Sequence, residues 1–332
     1  VTADQAFDTG EGFLRVRGKT IRDRKPFGIL RPADVLRVSS NVGAVQIAQR
    51  VGREAQYEGL LRFGFGSRTR SGFPTEAPGL LRDWQGWQPV DQAAISYGQG
   101  ISVTGIQLGV ALASLANDGV RMAPRLVLAR REPRGAWQTT GIRREGRAVS
   151  AAAARKTLDM MRTVVSPTGT GRLAGLDGVP VAGKTGTAQK FDTEQARYSQ
   201  DRYIAWFMGV VPANDPELAI VVAVDEPSGR IHSGGGVAAP LFARVAADQL
   251  ARRGIVTAPR PIPEAKPEVL VAETAAGAGA EPPASVETSP QTQPTPPSAA
   301  PAQPLLRKEP PRAAVAAPPA LSLIHISEPT RH

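Results

Sequence analysis

Two short clusters hold the side chains that could do chemistry. The first is Val181-Ala-Gly-Lys184-Thr185-Gly186-Thr187-Ala-Gln-Lys190, and the second, far upstream, is Ser39-Ser40-Asn41. The downstream cluster reads as an apolar strand that ends in Lys-Thr-Gly-Thr. A glycine inside a strand marks a place where another backbone comes close, so Gly186 lets an extended peptide lie alongside. Lys184 brings positive charge, and Thr185 and Thr187 bring hydroxyls; together they suit a substrate carboxylate. The backbone N–H of Thr187 suits one half of an oxyanion hole. Ser and Asn ahead of a helix usually serve as caps. Ser39-x-Asn41 gains meaning only from its order, upstream of the Lys-Thr-Gly.

Composition narrows the chemistry. The chain has no cysteine, so a thiol nucleophile, a disulfide framework and a Cys-based zinc site are excluded. Its three histidines are His232, His325 and His332. A Ser-His-Asp triad would have to use His232, which sits beside Ser233-Gly-Gly-Gly236 in what reads as a solvent-exposed loop. The base is therefore expected to be a lysine. The net charge is +10, yet the tail from Ile255 holds 6 Lys/Arg and 7 Asp/Glu, so the excess lies in the body. No Lys/Arg run interleaved with aromatics is present, which argues against nucleic-acid binding. The excess reads as an arginine-rich solvated surface. No segment has the roughly 18 uninterrupted apolar residues of a membrane span.

These residues need a frame. Residues 1–30 are rich in Gly and charge and read as loops with short strands. A helix opens at Arg31-Pro-Ala-Asp34, with Asp34 as its cap. Ser39-Ser40-Asn41 interrupts it, and Val42, Val45, Ile47, Ala48 and Val51 continue at helical spacing until Gly52. Residues 63–90 read as loop. Helices are expected over 104–117, 151–165 and 240–250. Val179–Ala182 forms a short strand leading to Lys184. Arg202–Val211 and Glu217–Val224 form a hairpin about Pro212-Ala-Asn-Asp-Pro216. Tyr97-Gly-Gln-Gly100, ahead of Val103-Thr-Gly-Ile-Gln-Leu108, reads as a glycine turn before a core helix and as scaffold of the cleft. Helices, then adjacent strands, then a closing helix argue for an α+β layer fold. From Ile255 onward the chain has 17 of its 30 prolines and no Trp, Tyr or Phe. The sequence therefore divides into a folded domain, 1–254, and a Pro/Ala-rich disordered tail, 255–332. The last twelve residues, Leu321–His332, depart from that tail and read as a translated sequencing adaptor.

Taken together, the two motifs and their order resemble the transpeptidase domain of class B penicillin-binding proteins, over roughly Val1–Leu250. Ser39-Ser-Asn-Val-Gly-Ala44 and Lys184-Thr-Gly-Thr-Ala-Gln-Lys190 look most like the septal, cell-division member. The resemblance implies a central antiparallel sheet, with the Lys-Thr-Gly on one strand and helices packed on both sides. It implies a serine acyltransferase that cross-links peptidoglycan stem peptides through an acyl-enzyme formed at D-Ala-D-Ala, and that β-lactams trap. In that chemistry Ser39 relays a proton between the nucleophile's lysine and the leaving amine, and Asn41 holds the substrate amide and that lysine. Lys184, Thr185, Gly186 and Thr187 receive the substrate. No metal or organic cofactor is implied. Partners would be stem peptides, β-lactams and other division and cell-wall synthesis proteins. The site of action would be the periplasmic face of the cytoplasmic membrane.

One departure stands out. The family's Ser-x-x-Lys, which carries the nucleophile, precedes both other motifs, and no serine in this sequence has a lysine three residues later. Thr187-Ala-Gln-Lys190 alone has the spacing, with Thr in place of Ser, and it belongs to the other motif. The expectation is that the sequence begins downstream of the nucleophile. As given, it is expected neither to cross-link nor to bind penicillin covalently. The rival readings are an elongation-type class B transpeptidase, a class A-type β-lactamase and a non-catalytic binding module of the division complex.

Overall fold

Four short strands precede the first helix: β1 (Phe7–Asp8), β2 (Phe13–Val16), β3 (Lys19–Arg22) and β4 (Ile29–Leu30). The first pairs with the fourth and the second with the third, all antiparallel. The helices α1 (Pro32–Val38), α2 (Asn41–Val51), α3 (Arg53–Arg62), α4 (Pro89–Ser96) and α5 (Gly105–Ala116) follow. Next come the small strands β5 (Val120–Met122), β6 (Ala129–Arg131), β7 (Trp137–Thr139) and β8 (Arg144–Arg147), then α6 (Ala151–Val164). The chain continues with β9 (Ala182–Asp192), β10 (Arg197–Val211), β11 (Leu218–Asp225) and α7 (Ala239–Ala251). This computed structural model describes residues 1–192, 197–229 and 231–261.

The main sheet has the order β11-β10-β9 and is antiparallel throughout. Side chains alternate along each strand, and the alternation assigns the two faces. Phe207, Val211, Leu218, Ile220 and Val222 pack with Phe242, Ala243, Ala246 and Leu250 of α7. Ala182, Val210 and Ala219 point the other way, onto Leu112 of α5 and Leu158 and Met161 of α6. Each large apolar side chain buried here contributes about 1.5–3 kcal/mol. The sheet is thus covered on both faces, as the α+β reading expects. A smaller cluster joins Val16 and Ile21 of the β2–β3 hairpin to Val45 of α2 and Ala93 of α4.

Local sequence explains the helix ends. Ser40 caps α2 by accepting from Gly43 N at 2.9 Å, and Gly52, at φ 90°, ends it. Thr104 and Gln107 form a reciprocal capping box on α5. Gln107 also donates to Ser67 O and Pro78 O, both at 2.8 Å, which fastens the 63–80 loop to that helix.

Several boundaries differ from the sequence reading. Arg31, not Asp34, occupies the N-cap of α1; Pro32 takes the first helical position. Asp34 lies in the first turn, where its carboxylate accepts from Arg31 N at 3.4 Å and pairs with Arg37 at 2.9 Å. The Lys-Thr-Gly strand starts at Ala182 rather than Val179, and the motif lies inside it rather than at its end. Helix α3 has a weakly amphipathic, charge-rich sequence without a buried residue, so its pattern carries no signal. Helix α4 starts at Pro89, within the stretch read as loop. Beyond residue 254 the packing continues: Ile255 joins the core beside α7, Leu176 forms a bridge with Pro259, and Arg260 N donates to Gly175 O at 2.9 Å. The rest of the expected disordered tail, including Leu321–His332, lies outside the described residues.

Candidate active site

Ser39 sits between two helices. It is the C-cap of α1, at φ 58° and ψ 49°, and the chain enters α2 two residues later. A left-handed backbone costs a non-glycine residue about 1–2 kcal/mol. Two features impose it. Ser39 N and Ser40 N close the last turn of α1 on Leu36 O and Val35 O at 3.3 and 3.0 Å, while Ser40 already caps α2. Gly43 permits the tight approach, since a Cβ there would lie 2.5 Å from Val35 Cγ2. The turn leaves the Ser39 hydroxyl exposed and aimed across the fold.

The partner it meets is Lys184. Helix α1 packs on α6, and α6 on β9, so the end of α1 lies over the middle of that strand. Lys184 faces the α6 side, opposite Met208 of β10. Its Nζ donates to Ser39 Oγ at 2.8 Å and to Thr185 O at 2.9 Å. The two motifs, read separately from the sequence, are joined directly by this bond.

The remaining motif residues are fixed by elements that the sequence reading passed over. Asn41 Nδ2 donates to Arg22 O at 3.1 Å, which orients the amide. Thr185 Oγ1 donates to Thr170 Oγ1 at 3.0 Å. Thr170 belongs to the Pro167–Gly171 turn, itself tied to α1 by Thr170 N to Arg37 O at 3.1 Å and Arg37 Nη1 to Thr168 Oγ1 at 3.3 Å. The glycines of that turn signalled a helix stop, but not that Thr170 would reach the site. Gly234 N donates to Thr187 Oγ1 at 3.1 Å, from the first residue of the π-turn Gly234–Ala238. Because Thr187 accepts this bond, its own hydroxyl proton is left to donate elsewhere. At Gly186 a backbone does come close, but it is the chain's own Gly234 rather than the substrate peptide the sequence reading placed there. A Cβ on Gly234 would fall on Gly186 O and lie 2.9 Å from Gly186 N. The triple glycine 234–236 was the available signal for that contact.

Strand β9 is the edge of the sheet and pairs only with β10 among the described residues. Its outer side, carrying Lys184 to Thr187, therefore offers backbone to an added strand. His232 is not the exposed loop side chain that the sequence suggested. Its ring is half-buried and stacks on Tyr203 with centroids 4.7 Å apart and planes 14° apart, and Nε2 is buried without a hydrogen-bond partner in the described structure. It makes no contact of this kind with Ser39 or Lys184, so a His-based triad is not assembled. In the Tyr97–Gly100 turn, burial and the neighbouring Tyr198 push the Tyr97 phenol above its ordinary pKa. Gly100 N donates to Tyr198 Oη at 3.3 Å, tying this turn to β10.

Comparison with known proteins accords with this geometry. Residues 2–247 match the family described as the penicillin binding protein transpeptidase domain. The probable peptidoglycan D,D-transpeptidase PenA of Neisseria meningitidis is 34% identical over 261 residues, covering 76% of this chain and 43% of that protein. This chain thus spans less than half of that relative's length. The apo transpeptidase domain of Burkholderia pseudomallei penicillin-binding protein 3 superposes with a TM-score of 0.69 at 34% identity, over 79% of this chain and 76% of that one. Penicillin-binding protein 3 of Mycobacterium tuberculosis, solved with ampicillin, gives a TM-score of 0.71 at 34% identity, over 79% and 60%. With residues 2–247 matched to it and an edge strand bearing Lys-Thr-Gly bonded directly to a Ser-x-Asn turn, this chain belongs to the penicillin-binding protein transpeptidase family.

Proposed function

We propose that this chain forms the substrate-receiving part of a serine-type peptidoglycan D,D-transpeptidase acting in septal wall synthesis outside the cytoplasm. The observation that carries the reading is the 2.8 Å bond from Lys184 Nζ to Ser39 Oγ. It joins two polar motifs beside an open strand edge, an arrangement that a purely structural role would not require.

The chemistry follows from the donors and acceptors present. A stem peptide ending in D-Ala-D-Ala adds to the free edge of β9 as an extended strand. Its terminal carboxylate accepts from the hydroxyl of Thr187 beside the charge of Lys184, and from that of Thr185 once the Thr185–Thr170 bond reverses so that Thr170 is its donor. The scissile carbonyl lies against the N–H of Thr187, which stabilises the negative charge that develops on its oxygen. Asn41 binds the substrate amide. When the attacking serine forms its ester with the penultimate D-Ala, its proton must reach the departing amine of the terminal D-Ala. Ser39 is the relay for that proton. Since Lys184 donates to its oxygen, the Ser39 hydroxyl proton is directed away from Lys184, toward the reacting groups. An amine of a second stem then takes the acyl group and releases the serine. β-Lactams enter by the same contacts. The Ser-x-x-Lys that would supply the acylating serine does not occur in this sequence, so the residues here bind, orient and move the proton.

A fluorescent-penicillin gel assay tests the reading on two proteins: this chain, and the product of its gene extended upstream to the next in-frame start. Labelling of the longer protein alone is expected. Labelling of neither would overturn the enzymatic reading in favour of a binding module of the division complex. Labelling of this chain would mean that a different serine is the nucleophile. Rapid turnover of a chromogenic cephalosporin would favour a β-lactamase.

A further inference from the structure

The strained Ser39 turn needs something to hold it from the far side of α2, and the structure supplies one carboxylate there. Asp23 follows β3 and is only 8% exposed. Its Oδ2 accepts from Ser40 Oγ at 2.6 Å and its Oδ1 accepts from Val42 N at 3.0 Å. The preceding residue, Arg22, accepts from Asn41 Nδ2 at 3.1 Å through its carbonyl. Two successive residues thus make three hydrogen bonds to Ser40, Asn41 and Val42. The clamp is itself anchored, because Asp23 N donates to Gly12 O at 2.8 Å at the base of the β2–β3 hairpin.

The charge of Asp23 has a specific use. Val42 N is one of the orphan donors in the first turn of α2, where the helix dipole favours a negative group. Ser40 Oγ accepts from Gly43 N at 2.9 Å and must therefore give its own proton to something else. Asp23 accepts that hydrogen bond and the one from the orphan N–H of Val42 together. We infer that Asp23 is a positioning residue for the Ser39–Asn41 motif. It locks the start of α2 from outside, so that Ser39 keeps its left-handed backbone and its reach to Lys184, and Asn41 keeps its orientation. This inference rests on the functional reading above only for its kinetic consequence.

The test uses Asp23→Asn, which keeps the shape and removes the charge, and Ser40→Ala, which removes the bridging hydroxyl and leaves Asp23 in place. In this chain, amide hydrogen exchange at Val42 and Gly43 is expected to quicken roughly 10- to 100-fold in D23N, the equivalent of one charge-assisted bond. S40A is expected to quicken Gly43 alone. In the gene's full reading frame, the rate of acylation by penicillin is expected to fall by a similar factor, with the affinity of the first non-covalent complex unchanged. The double variant D23N/S40A is expected to be no slower than D23N, since both act through one linkage. A general loss of structure would instead weaken binding and acylation together and raise exchange throughout the core. Unchanged exchange at Val42 and Gly43 in D23N would overturn the clamp, as would wild-type acylation once exchange there has quickened. Should D23N fail to fold, wild-type acylation by S40A would overturn it as well. If the unsubstituted protein is not acylated at all, the functional reading fails while the exchange measurement still decides the clamp.

Discussion

Replacing Gly234 by alanine probes the contact that backs the Lys-Thr-Gly strand. The added Cβ would fall on the carbonyl oxygens of Trp206 and Gly186 and lie 2.9 Å from Gly186 N. All three are backbone atoms of paired strands, so no side chain can swing aside. Either β9 and β10 shift together or the π-turn lifts off. Overpacking of this kind costs about 1–3 kcal/mol, and lifting the turn also forfeits the Gly234 N–Thr187 Oγ1 bond, worth about 0.5–1.5 kcal/mol. The sum, roughly 2–4 kcal/mol, corresponds to a fall in Tm of about 5–15 °C for a domain of this size. Thermal unfolding followed by circular dichroism measures it. Gly105→Ala is the control: it lies at the first position of α5 with nothing within 4 Å of its Cβ, and is expected to stabilise by about 0.4–1 kcal/mol. If G234A melts within a degree or two of the unsubstituted chain and the Gly234 amide stays protected from exchange, the claim that this glycine is required by backbone contact is wrong.

Ser39→Gly should relieve the left-handed strain and raise stability by roughly 1 kcal/mol while removing the hydroxyl that Lys184 meets; a denaturant melt that shows a loss of stability would contradict the strain. Phe207→Ala, at a fully buried ring 4.7 Å from Phe242, should cost about 3–5 kcal/mol, read as a lower urea midpoint without a change in slope. Burial opposes ionisation of Glu76, but hydrogen bonds from Thr69, Ser71 and Arg70 outweigh it and hold its pKa below the ordinary 4.5. A depressed carboxylate stabilises the fold above its unfolded value, and that stability is lost as pH falls through the folded one. Glu76→Gln should therefore flatten the stability profile below about pH 4.5, and an unchanged acid limb would refute the assignment.

What was legible in the sequence was whatever repeats with the period of an element. Ile106, Leu112 and Leu115 mark α5, and the turn-rich Pro212–Pro216 marks the hairpin, because burial on one face writes itself into spacing. Charge-rich α3 has no fully buried residue and so leaves little periodic pattern. The two motifs were legible as residue types in order, but their bond was not, since it depends on how α1, α6 and β9 stack. Thr170 and Asp23 were invisible for the same reason: each acts on the site from another element. Only Gly186 was read as a place of close approach, and the glycines that pack tightest within the fold were not singled out. At Gly183 and Gly209 the nearest neighbours are the rings of Phe207 and Phe242, at Gly186 it is the Trp206 side chain, and at Gly234 it is the backbone of Trp206 and Gly186.

The bond between Ser39 and Lys184 spans 145 positions of sequence. Each side is built early, since the α1–α2 turn and the β9–β10–β11 meander both close through neighbouring segments, whereas their meeting requires closure of a long loop. Their junction is therefore expected among the last features to form on folding and among the first to be lost on partial unfolding. During synthesis the Ser39 turn emerges long before its partner strand. A chain interrupted anywhere before the meander would present a finished turn and no Lys184 for it to meet. On the proposed function, competence to receive a peptide would belong to the assembled pair of motifs rather than to either one alone.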